Sequence, residues 1–279
     1  MTIAHLNGVE LNYEVHGSAG PWVALMPGGR RGLDEIRSLA QRIAAAGYRV
    51  LIHDRRNCGA SEVSIDGRGA EHEIWADDLH ALLQSLDALP AYVGGSSSGC
   101  RLSIDFALRY PQAVRGLLLW RVTGGAFAVK RLCEKYFGEY LRAAKAGGMP
   151  AVAETEHFRE LIAARPQNRD KLLAINPQTF IAAMSAWETS FRAGVDQPVI
   201  GASEAQLKSI TAPACIVPGN DKTHPAAAAD TLARLMPNAT LHPLMGPDVD
   251  LDVDPPANWD AREADLAAIL IAGLARMRS

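Results

Sequence analysis

The residues best suited to chemistry lie in the run Gly95-Ser96-Ser97-Ser98-Gly99, a Gly-x-Ser-x-Gly pattern. A short apolar strand is predicted before it and a helix after it, so Ser97 is expected at a sharp strand-to-helix corner. Glycines suit positions where backbone segments pass closely. A serine hydroxyl presented at a helix N-terminus could act as a nucleophile. A flexible turn rich in glycine and serine is the competing interpretation.

The elements around this corner alternate between strand and helix. Strands are predicted at 3–6, 10–15, 22–26, 48–52, 91–93 and 114–120, and helices at 33–46, 71–89 and 99–108. Only helices are predicted between about 123 and 207, at 126–144, 156–163, 169–173 and 178–192. Strands at 212–217 and 240–243 and helices at 225–235 and 261–277 then resume the alternation. The pattern predicts an α/β fold whose mostly parallel sheet is interrupted by a helical insertion.

Composition limits the classes of function. The 279 residues are 48% hydrophobic and 21% charged, with a net charge of -3, which favours a soluble globular protein over a nucleic-acid-binding or membrane protein. The cysteines, Cys58, Cys100, Cys133 and Cys215, are scattered, which predicts free thiols in a reducing compartment and no metal site. No signal-peptide pattern opens the chain. We expect a cytoplasmic protein with a small-molecule substrate and no cofactor, and a homodimer remains open.

Further motifs show that the chain resembles the α/β-hydrolase fold superfamily. The run Asp54-Arg55-Arg56-Asn57-Cys58-Gly59-Ala60-Ser61 matches the family's Asp-x-Arg-Gly-x-Gly-x-Ser loop, except that Asn57 replaces a glycine. Pro111 lies fourteen residues after Ser97, where the family has an aromatic-Pro pair. The resemblance implies about eight strands flanked by helices. Residues 1–122 and 208–279 would form the core, and residues 123–207 would form a lid inserted after strand 6.

The resemblance also implies roles for residues on other turns. The family's oxyanion hole follows its third strand, where this chain has Pro27-Gly28-Gly29-Arg30, so the backbone N–H groups of Gly29 and Ser98 would be its two donors. The family's acid lies in a Gly-x-Asp sequence after strand 7, and Asp221 occupies that position. A turn or N-cap role for Asp221 is the alternative.

The family's histidine is missing from its usual place, about ten residues after the small residue that opens strand 8. Counting from Ala239 leads into residues 246–254, which contain no histidine. Two others remain candidates. His224 follows Asp221 by three residues and could be a base, a substrate ligand or a structural residue. His242 would reach the site only if the chain turned sharply.

Residues 248–254 instead carry alternating aspartates, Asp248, Asp250, Asp252 and Asp254. A solvated acidic loop is the simplest interpretation. A calcium loop would need a glycine and a terminal glutamate that are absent here. A third possibility is that Asp248 or Asp250 replaces the histidine as a polar group of the site.

Other side chains are candidates for substrate binding. Trp120 and Arg121 end strand 6 under the expected lid, and Arg30 and Arg31 follow the oxyanion turn. Arginines near one mouth favour an anionic substrate, because the guanidinium binds carboxylates bidentately. Trp187 and Phe191 of the lid would supply an apolar wall.

Two classes of function follow from these residues. The first is a cofactor-free hydrolase that acts through Ser97 on a small ester, thioester, lactone or cleavable C–C substrate, with or without a negative charge. The second is a non-hydrolytic lyase or isomerase, or a ligand-binding member of the same fold that has lost the chemistry. The missing histidine favours the second class, because a serine hydroxyl without an imidazole base is a poor nucleophile.

Overall fold

Within residues 2–278, which the computed structural model describes, eight strands form one mixed sheet with the order 1-2-4-3-5-6-7-8. Strands 1 and 2, and 2 and 4, pair antiparallel, and the remaining neighbours are parallel. The strands are β1 Thr2–Leu6, β2 Val9–His16, β3 Trp22–Met26, β4 Arg49–His53, β5 Ala91–Ser96, β6 Val114–Trp120, β7 Ala214–Val217 and β8 Ala239–Leu241.

Helices cover both faces of this sheet. The helices of the chain, including those of the insertion after β6, are α1 Arg37–Ala45, α2 Glu71–Ser85, α3 Ser98–Arg109, α4 Gly125–Cys133, α5 Glu139–Ala153, α6 Glu156–Ala164, α7 Asn168–Leu173, α8 Pro177–Arg192, α9 Glu204–Ser209, α10 Ala226–Leu235, α11 Pro256–Asp260 and α12 Glu263–Arg276. Apolar residues of α2, α3 and α10 form the core on one face, and those of α1 and α12 form the core on the other.

Strand β3 illustrates why the sheet is buried on both sides. Ala24 and Met26 belong to the core under α2 and α3, whereas Val23 and Leu25 belong to the core under α1 and α12. Successive side chains of a strand point to opposite faces, so a continuous apolar run suits a strand covered by helices twice. The predicted α/β fold with a mostly parallel sheet is therefore confirmed.

A helical insertion from α4 to α9 separates β6 from β7 and has an apolar cluster of its own. The helix predicted at 126–144 is wrong as a single element, because one π-helical turn, Glu134–Gly138, separates α4 from α5. Helix α5 is itself interrupted at Gly148, whose φ of 64° lies in the left-handed region. The π turn carries Tyr136, which lines the cleft at Ser97.

Some boundaries differ from the sequence-based prediction. Strand β5 continues to Ser96 rather than ending at residue 93, and β8 is shorter than the predicted 240–243. The short helices α9 and α11 were not predicted. All four cysteines are buried free thiols. In the described part of the chain, no helix combines the length and apolar character that a bilayer crossing requires.

Candidate active site

Ser97 lies at the corner between β5 and α3, with φ 52° and ψ -107°. This left-handed conformation is strained for a residue with a side chain and requires support from its surroundings. The two glycines of the motif allow the close packing that provides it. A Cβ on Gly95 would lie 2.7 Å from the Met26 carbonyl oxygen, and one on Gly99 would lie 2.4 Å from it. The predicted corner thus has a defined geometry, with the tip of β3 packed against it.

A chain of hydrogen bonds links Ser97 to His224 and Asp221. The distance from His224 Nε2 to Ser97 Oγ is 2.8 Å, and that from His224 Nδ1 to Asp221 Oδ1 is 2.9 Å. All three residues are buried. An ionised carboxylate only accepts hydrogen bonds, so Nδ1 donates to Asp221 and leaves Nε2 free to accept from the serine hydroxyl. Thr123 Oγ1 lies 3.3 Å from the same hydroxyl.

The short spacing between Asp221 and His224 is explained by a local turn. Asp221 Oδ1 accepts hydrogen bonds from the backbone N–H groups of Thr223, at 2.9 Å, and His224, at 2.8 Å. The His224 N–H also lies 3.1 Å from the Asp221 carbonyl oxygen. An aspartate that caps its own turn in this way brings residue i+3 back over its carboxylate. The imidazole and the carboxylate therefore come from one four-residue segment after β7.

The same contacts set the charges of the pair. Burial opposes ionisation of Asp221, but the hydrogen bonds and charge of His224, with the N–H of Asp254, outweigh it and hold the pKa at about 2. Burial lowers the pKa of His224 below its ordinary 6.5, and the raising effect of Asp221 is not sufficient to reverse this. The Arg121 guanidinium lowers that pKa further. At neutral pH the pair is an anionic carboxylate beside a neutral imidazole, which is the state a general base requires.

The aspartate run packs on the outer side of Asp221. The N–H of Asp254 donates to Asp221 Oδ2 at 2.9 Å. Asp248 Oδ1 accepts from the Ala226 N–H at 3.0 Å, and Asp250 is exposed and paired with Lys222 at 2.6 Å. The suggestion that Asp248 or Asp250 takes the place of the histidine is therefore wrong, because both side chains have partners outside the cleft. Within residues 2–278, no group of three His, Cys, Asp or Glu residues could hold a metal ion.

His242, the second candidate base, has different partners. Its Nε2 lies 3.0 Å from Thr240 Oγ1 of β8 and 3.1 Å from an Arg276 nitrogen at the end of α12, and both contacts are exposed. It does not line the cleft that contains Ser97. Of the two histidines considered from the sequence, only His224 is brought to the serine.

The predicted oxyanion donors lie in the turn after β3 and at the start of α3. Gly29 has φ 47°, and Ser98 is the first residue of α3. Among residues 2–278, neither of their backbone N–H groups donates a hydrogen bond elsewhere. Both belong to segments that Arg55 holds, because its guanidinium donates to the Gly29 carbonyl oxygen at 2.7 Å and to Ser98 Oγ at 3.0 Å. Arg55 is fully buried and stacks over Trp75 at 4.7 Å.

The loop after β4 positions this arginine. Asp54 accepts from the N–H groups of Leu33, at 2.6 Å, and Ala60, at 2.8 Å, which ties the oxyanion segment to the loop. Asn57 has φ 64°, a left-handed value that asparagine tolerates better than most residues. This conformation explains how Asn57 replaces the glycine of the family motif.

A cleft of about 220 Å³ opens over Ser97 and His224. Trp120 and Arg121 line it, as predicted from the sequence, and so does Tyr136 of the π turn. Cationic side chains of Arg31, Arg121, Arg131 and Lys135 and acidic ones of Glu35, Asp260 and Glu263 share its wall. Arg121 approaches Asp221 Oδ2 at 3.5 Å and stacks over Trp259 at 5.1 Å.

Two predicted substrate residues do not line this cleft. Arg30 is buried and forms an ion pair with Glu71 at 2.6 Å, surrounded by aromatic rings that include Trp75 and Tyr136. Its charge is therefore neutralised, and the role predicted for it is wrong for this cleft. Trp187 donates to the Gly69 carbonyl oxygen at 3.0 Å and lines a separate cavity.

Sequence reasoning missed three residues around the serine: Thr123, Tyr136 and Arg55. Thr123 follows β6, where a polar residue near the end of a parallel strand is a usable signal. Arg55 occupies a variable position of the loop motif, and Tyr136 lies in what was predicted to be a regular helix. Neither position carried a sequence signal for its place in the structure.

Comparison with known proteins agrees with the fold. A profile of the alpha/beta hydrolase fold matches residues 16–120. The uncharacterized hydrolase YraK of Bacillus subtilis is 35% identical over 111 residues, 40% of each protein. A 2-hydroxymuconate semialdehyde hydrolase of Pseudomonas putida is 27% identical over 238 residues, 82% of this chain and 76% of the relative. The match thus spans less than half of YraK but three quarters of the second relative.

Solved structures show the same fold over nearly all of the chain. An enol-lactonase from Burkholderia xenovorans superposes with a TM-score of 0.65 at 19% identity, covering 98% of this chain and 100% of that one. A meta-cleavage product hydrolase from Pseudomonas fluorescens gives a TM-score of 0.67 at 17% identity, covering 99% and 98%. With the profile match, the sheet order and the serine corner, these likenesses lead to one assignment. The chain has the α/β-hydrolase fold.

Proposed function

We propose that this protein is a cofactor-independent serine hydrolase, with Ser97 as nucleophile, His224 as general base and Asp221 as the carboxylate that orients the base. The observation that carries the proposal is the hydrogen-bonded chain from Ser97 Oγ to His224 Nε2, at 2.8 Å, and from His224 Nδ1 to Asp221, at 2.9 Å. A serine, an imidazole and a carboxylate in this relation are recognised by geometry rather than by chain order.

The first half of the reaction forms an acyl-enzyme. Ser97 Oγ attacks the substrate carbonyl carbon while its proton passes to His224 Nε2, and the carbonyl oxygen becomes an oxyanion. The N–H groups of Gly29 and Ser98 would bind that oxyanion, and losing one such donor typically costs roughly a hundred- to a thousandfold in rate. The intermediate then collapses, and the leaving group takes the proton from His224.

The second half returns the enzyme to its starting state. Water attacks the acyl carbon, His224 accepts a proton from the water, and Ser97 recovers that proton as the acyl group departs. Asp221 stabilises the imidazolium in both halves without taking up a proton itself. Its low pKa, about 2, fits this role.

The cleft favours a small substrate. Its volume of about 220 Å³ lies below the roughly 300–1,000 Å³ that is usual for larger ligands. Esters, thioesters, lactones and C–C-cleavable diketones all present a carbonyl carbon to the serine. Relatives named enol-lactonase and 2-hydroxymuconate semialdehyde hydrolase support this range of substrates.

We further infer that residues 123–207 act as a lid over a core formed by residues 1–122 and 208–279. Arg131 and Leu132 of α4 and Tyr136 of the π turn line the cleft from the insertion side. Single π turns within helices often occur at functional sites. A shift of this turn would change access to Ser97.

The non-hydrolytic alternatives depended on the absence of an imidazole base. The contact between His224 and Ser97 supports hydrolysis over a lyase, an isomerase or a binding protein. A lyase or isomerase that used Ser97 only to position its substrate would not need a carboxylate behind the imidazole.

Covalent labelling tests the proposal. The wild-type protein is treated with a fluorophosphonate, and the modified residue is located by peptide mass spectrometry. We expect one label on Ser97, lost in Ser97→Ala and retained in Ser209→Ala, a control at an exposed serine of α9. If the folded wild-type protein takes no label, or if Ser97→Ala is labelled equally, the nucleophile has been assigned wrongly.

A further inference from the structure

A second cavity, of about 260 Å³, lies where the helical insertion meets the core. Its walls come from α2, α3, the π turn, α8 and the segment that leads to α9. Its lining includes Glu71, His72, Ser98, Arg101, Tyr136 and Trp187. Two features connect it with the cleft over Ser97: Tyr136 lines both spaces, and Ser98 directly follows the nucleophile.

Arg101 brings an uncompensated positive charge to this cavity. Its Nε donates to the Ile200 carbonyl oxygen at 2.9 Å, and its guanidinium lies 4.4 Å from the ring centre of Phe191. Across residues 2–278, no carboxylate lies within 4.0 Å of that guanidinium. Asp105, one turn further along α3, lies 4.0 Å from His72 and does not line the cavity, so its charge acts on Arg101 only at longer range.

The other ionisable groups of the wall do not cancel this charge. Glu71 is the carboxylate of the lining, and it is already paired with Arg30 at 2.6 Å. Burial lowers the pKa of His72 to about 4, so its imidazole is neutral at pH 7. Within residues 2–278, Arg101 is therefore a cation of the lining that has no carboxylate within ion-pair distance, which favours an anionic ligand.

The rest of the lining determines which anion fits. Trp75, Tyr136, Phe137, Trp187 and Phe191 supply aromatic surface on several sides. A fully hydrated inorganic ion would leave this surface unused, whereas a carboxylate attached to an apolar body would bury it. The arginine fork suits a carboxylate, with which it forms parallel hydrogen bonds.

We propose that this cavity binds the carboxylate end of the substrate, with Arg101 as its counter-ion and Tyr136 at the passage to the cleft over Ser97. The inference rests on the proposed hydrolase function and specifies its substrate class. Arg101 follows Ser97 by four residues on α3, about 6 Å along a helix axis. A linear substrate with its scissile carbonyl a few bonds from a terminal carboxylate would span the two positions. This places the anion site at Arg101 rather than at Arg30.

Paired substrates test the proposal. The acids are p-nitrophenyl monoesters of succinic, glutaric and adipic acid, and each neutral partner carries a methyl ester in place of the free carboxylate. We expect Arg101→Gln to lower the acid-to-neutral ratio of kcat/KM ten- to a hundredfold for the best chain length. Arg101→Lys should retain part of the preference, because it keeps the charge but loses the fork. Arg159→Gln, a matched loss of an exposed arginine on α6, should leave the ratio unchanged.

The outcomes separate this inference from the proposed function. If Arg101→Gln and Arg101→Lys both leave the ratio within twofold of wild type while Ser97→Ala abolishes turnover, the anion site is overturned and the hydrolase stands. If no ester is cleaved at all, the proposed function fails. In that case, calorimetry of free glutarate binding to the Ser97→Ala protein tests the anion site. Binding that becomes weaker when Arg101→Lys is added supports the site, and absence of binding overturns it.

Discussion

Replacement of Asp221 by asparagine separates two proposed roles of its carboxylate: it accepts the hydrogen bonds of its turn, and its charge stabilises the imidazolium of His224. One oxygen, Oδ1, accepts from the Thr223 N–H, the His224 N–H and His224 Nδ1. The other, Oδ2, accepts from the Asp254 N–H and, at 3.5 Å, from the Arg121 guanidinium. Three donors fix the amide oxygen of Asp221→Asn at the Oδ1 position. Its NH2 group then faces the Asp254 N–H, and one buried donor is left without an acceptor.

The substitution should lower both the stability of the protein and its kcat/KM. An unsatisfied buried N–H costs about 1–3 kcal/mol, which corresponds to a fall in Tm of roughly 2–12 °C for a domain of this class. Loss of the carboxylate charge about 4 Å from the imidazolium removes about 4 kcal/mol at an effective dielectric constant of 20, or roughly a thousandfold in kcat/KM. The amide oxygen still accepts from Nδ1, so the tautomer is preserved.

The assay is hydrolysis of a p-nitrophenyl ester between pH 4.5 and 8, with thermal unfolding measured alongside. Wild-type activity should fall only below pH 6.5, because the pKa of His224 is lowered and its neutral form is the base. Asp221 raises that pKa, so Asp221→Asn should move the acid limb to still lower pH. Asp250→Asn, an exposed change in the adjoining loop, is the control. A loss below tenfold, or an acid limb shifted upward, would refute the reasoning.

Three further predictions concern the scaffold. Arg55→Met removes donors to the oxyanion turn and should lower kcat ten- to a hundredfold with KM within threefold, with partial recovery in the lysine variant; unchanged kcat would exclude this positioning role. Wild-type stability should decline below pH 6.5, because burial lowers the pKa of His53 to about 3. At pH 5.5 the protonation of His53 should lower the free energy of unfolding by about 1.4 kcal/mol relative to neutral pH. Urea unfolding should show that His53→Leu lacks this loss. Gly99→Ala should cost at least about 3 kcal/mol, whereas Gly246→Ala, with open space around it, should be neutral in the same melts.

The fold was predictable because its signals are local. Apolar runs such as β3, bounded by glycine and proline, identify buried strands, and amphipathic spacing identifies α2 and α12. The corner at Ser97 was also predictable, because only small residues fit on either side of it. The break between α4 and α5 was not, since the sequence around Tyr136 keeps the spacing of an ordinary helix.

The site was predictable only in part because two of its features depend on contacts distant in sequence. Arg30 seemed free to bind a substrate, but Glu71, forty-one residues away, pairs with it. His224 was one of several open possibilities, because a histidine three residues after an aspartate has many uses. Its assignment depends on a turn closed by the aspartate itself and on a serine 127 residues away.

The central claim is that His224 activates Ser97, and the most direct measurement is kcat/KM for one ester in two histidine variants. We predict that His224→Ala loses at least a thousandfold in kcat/KM, because the residual rate would come from the oxyanion donors and binding alone. His242→Ala should stay within twofold of wild type, since that side chain bonds to Thr240 and Arg276 outside the cleft. If folded His224→Ala keeps a kcat/KM within tenfold of wild type, His224 is not the base that activates Ser97.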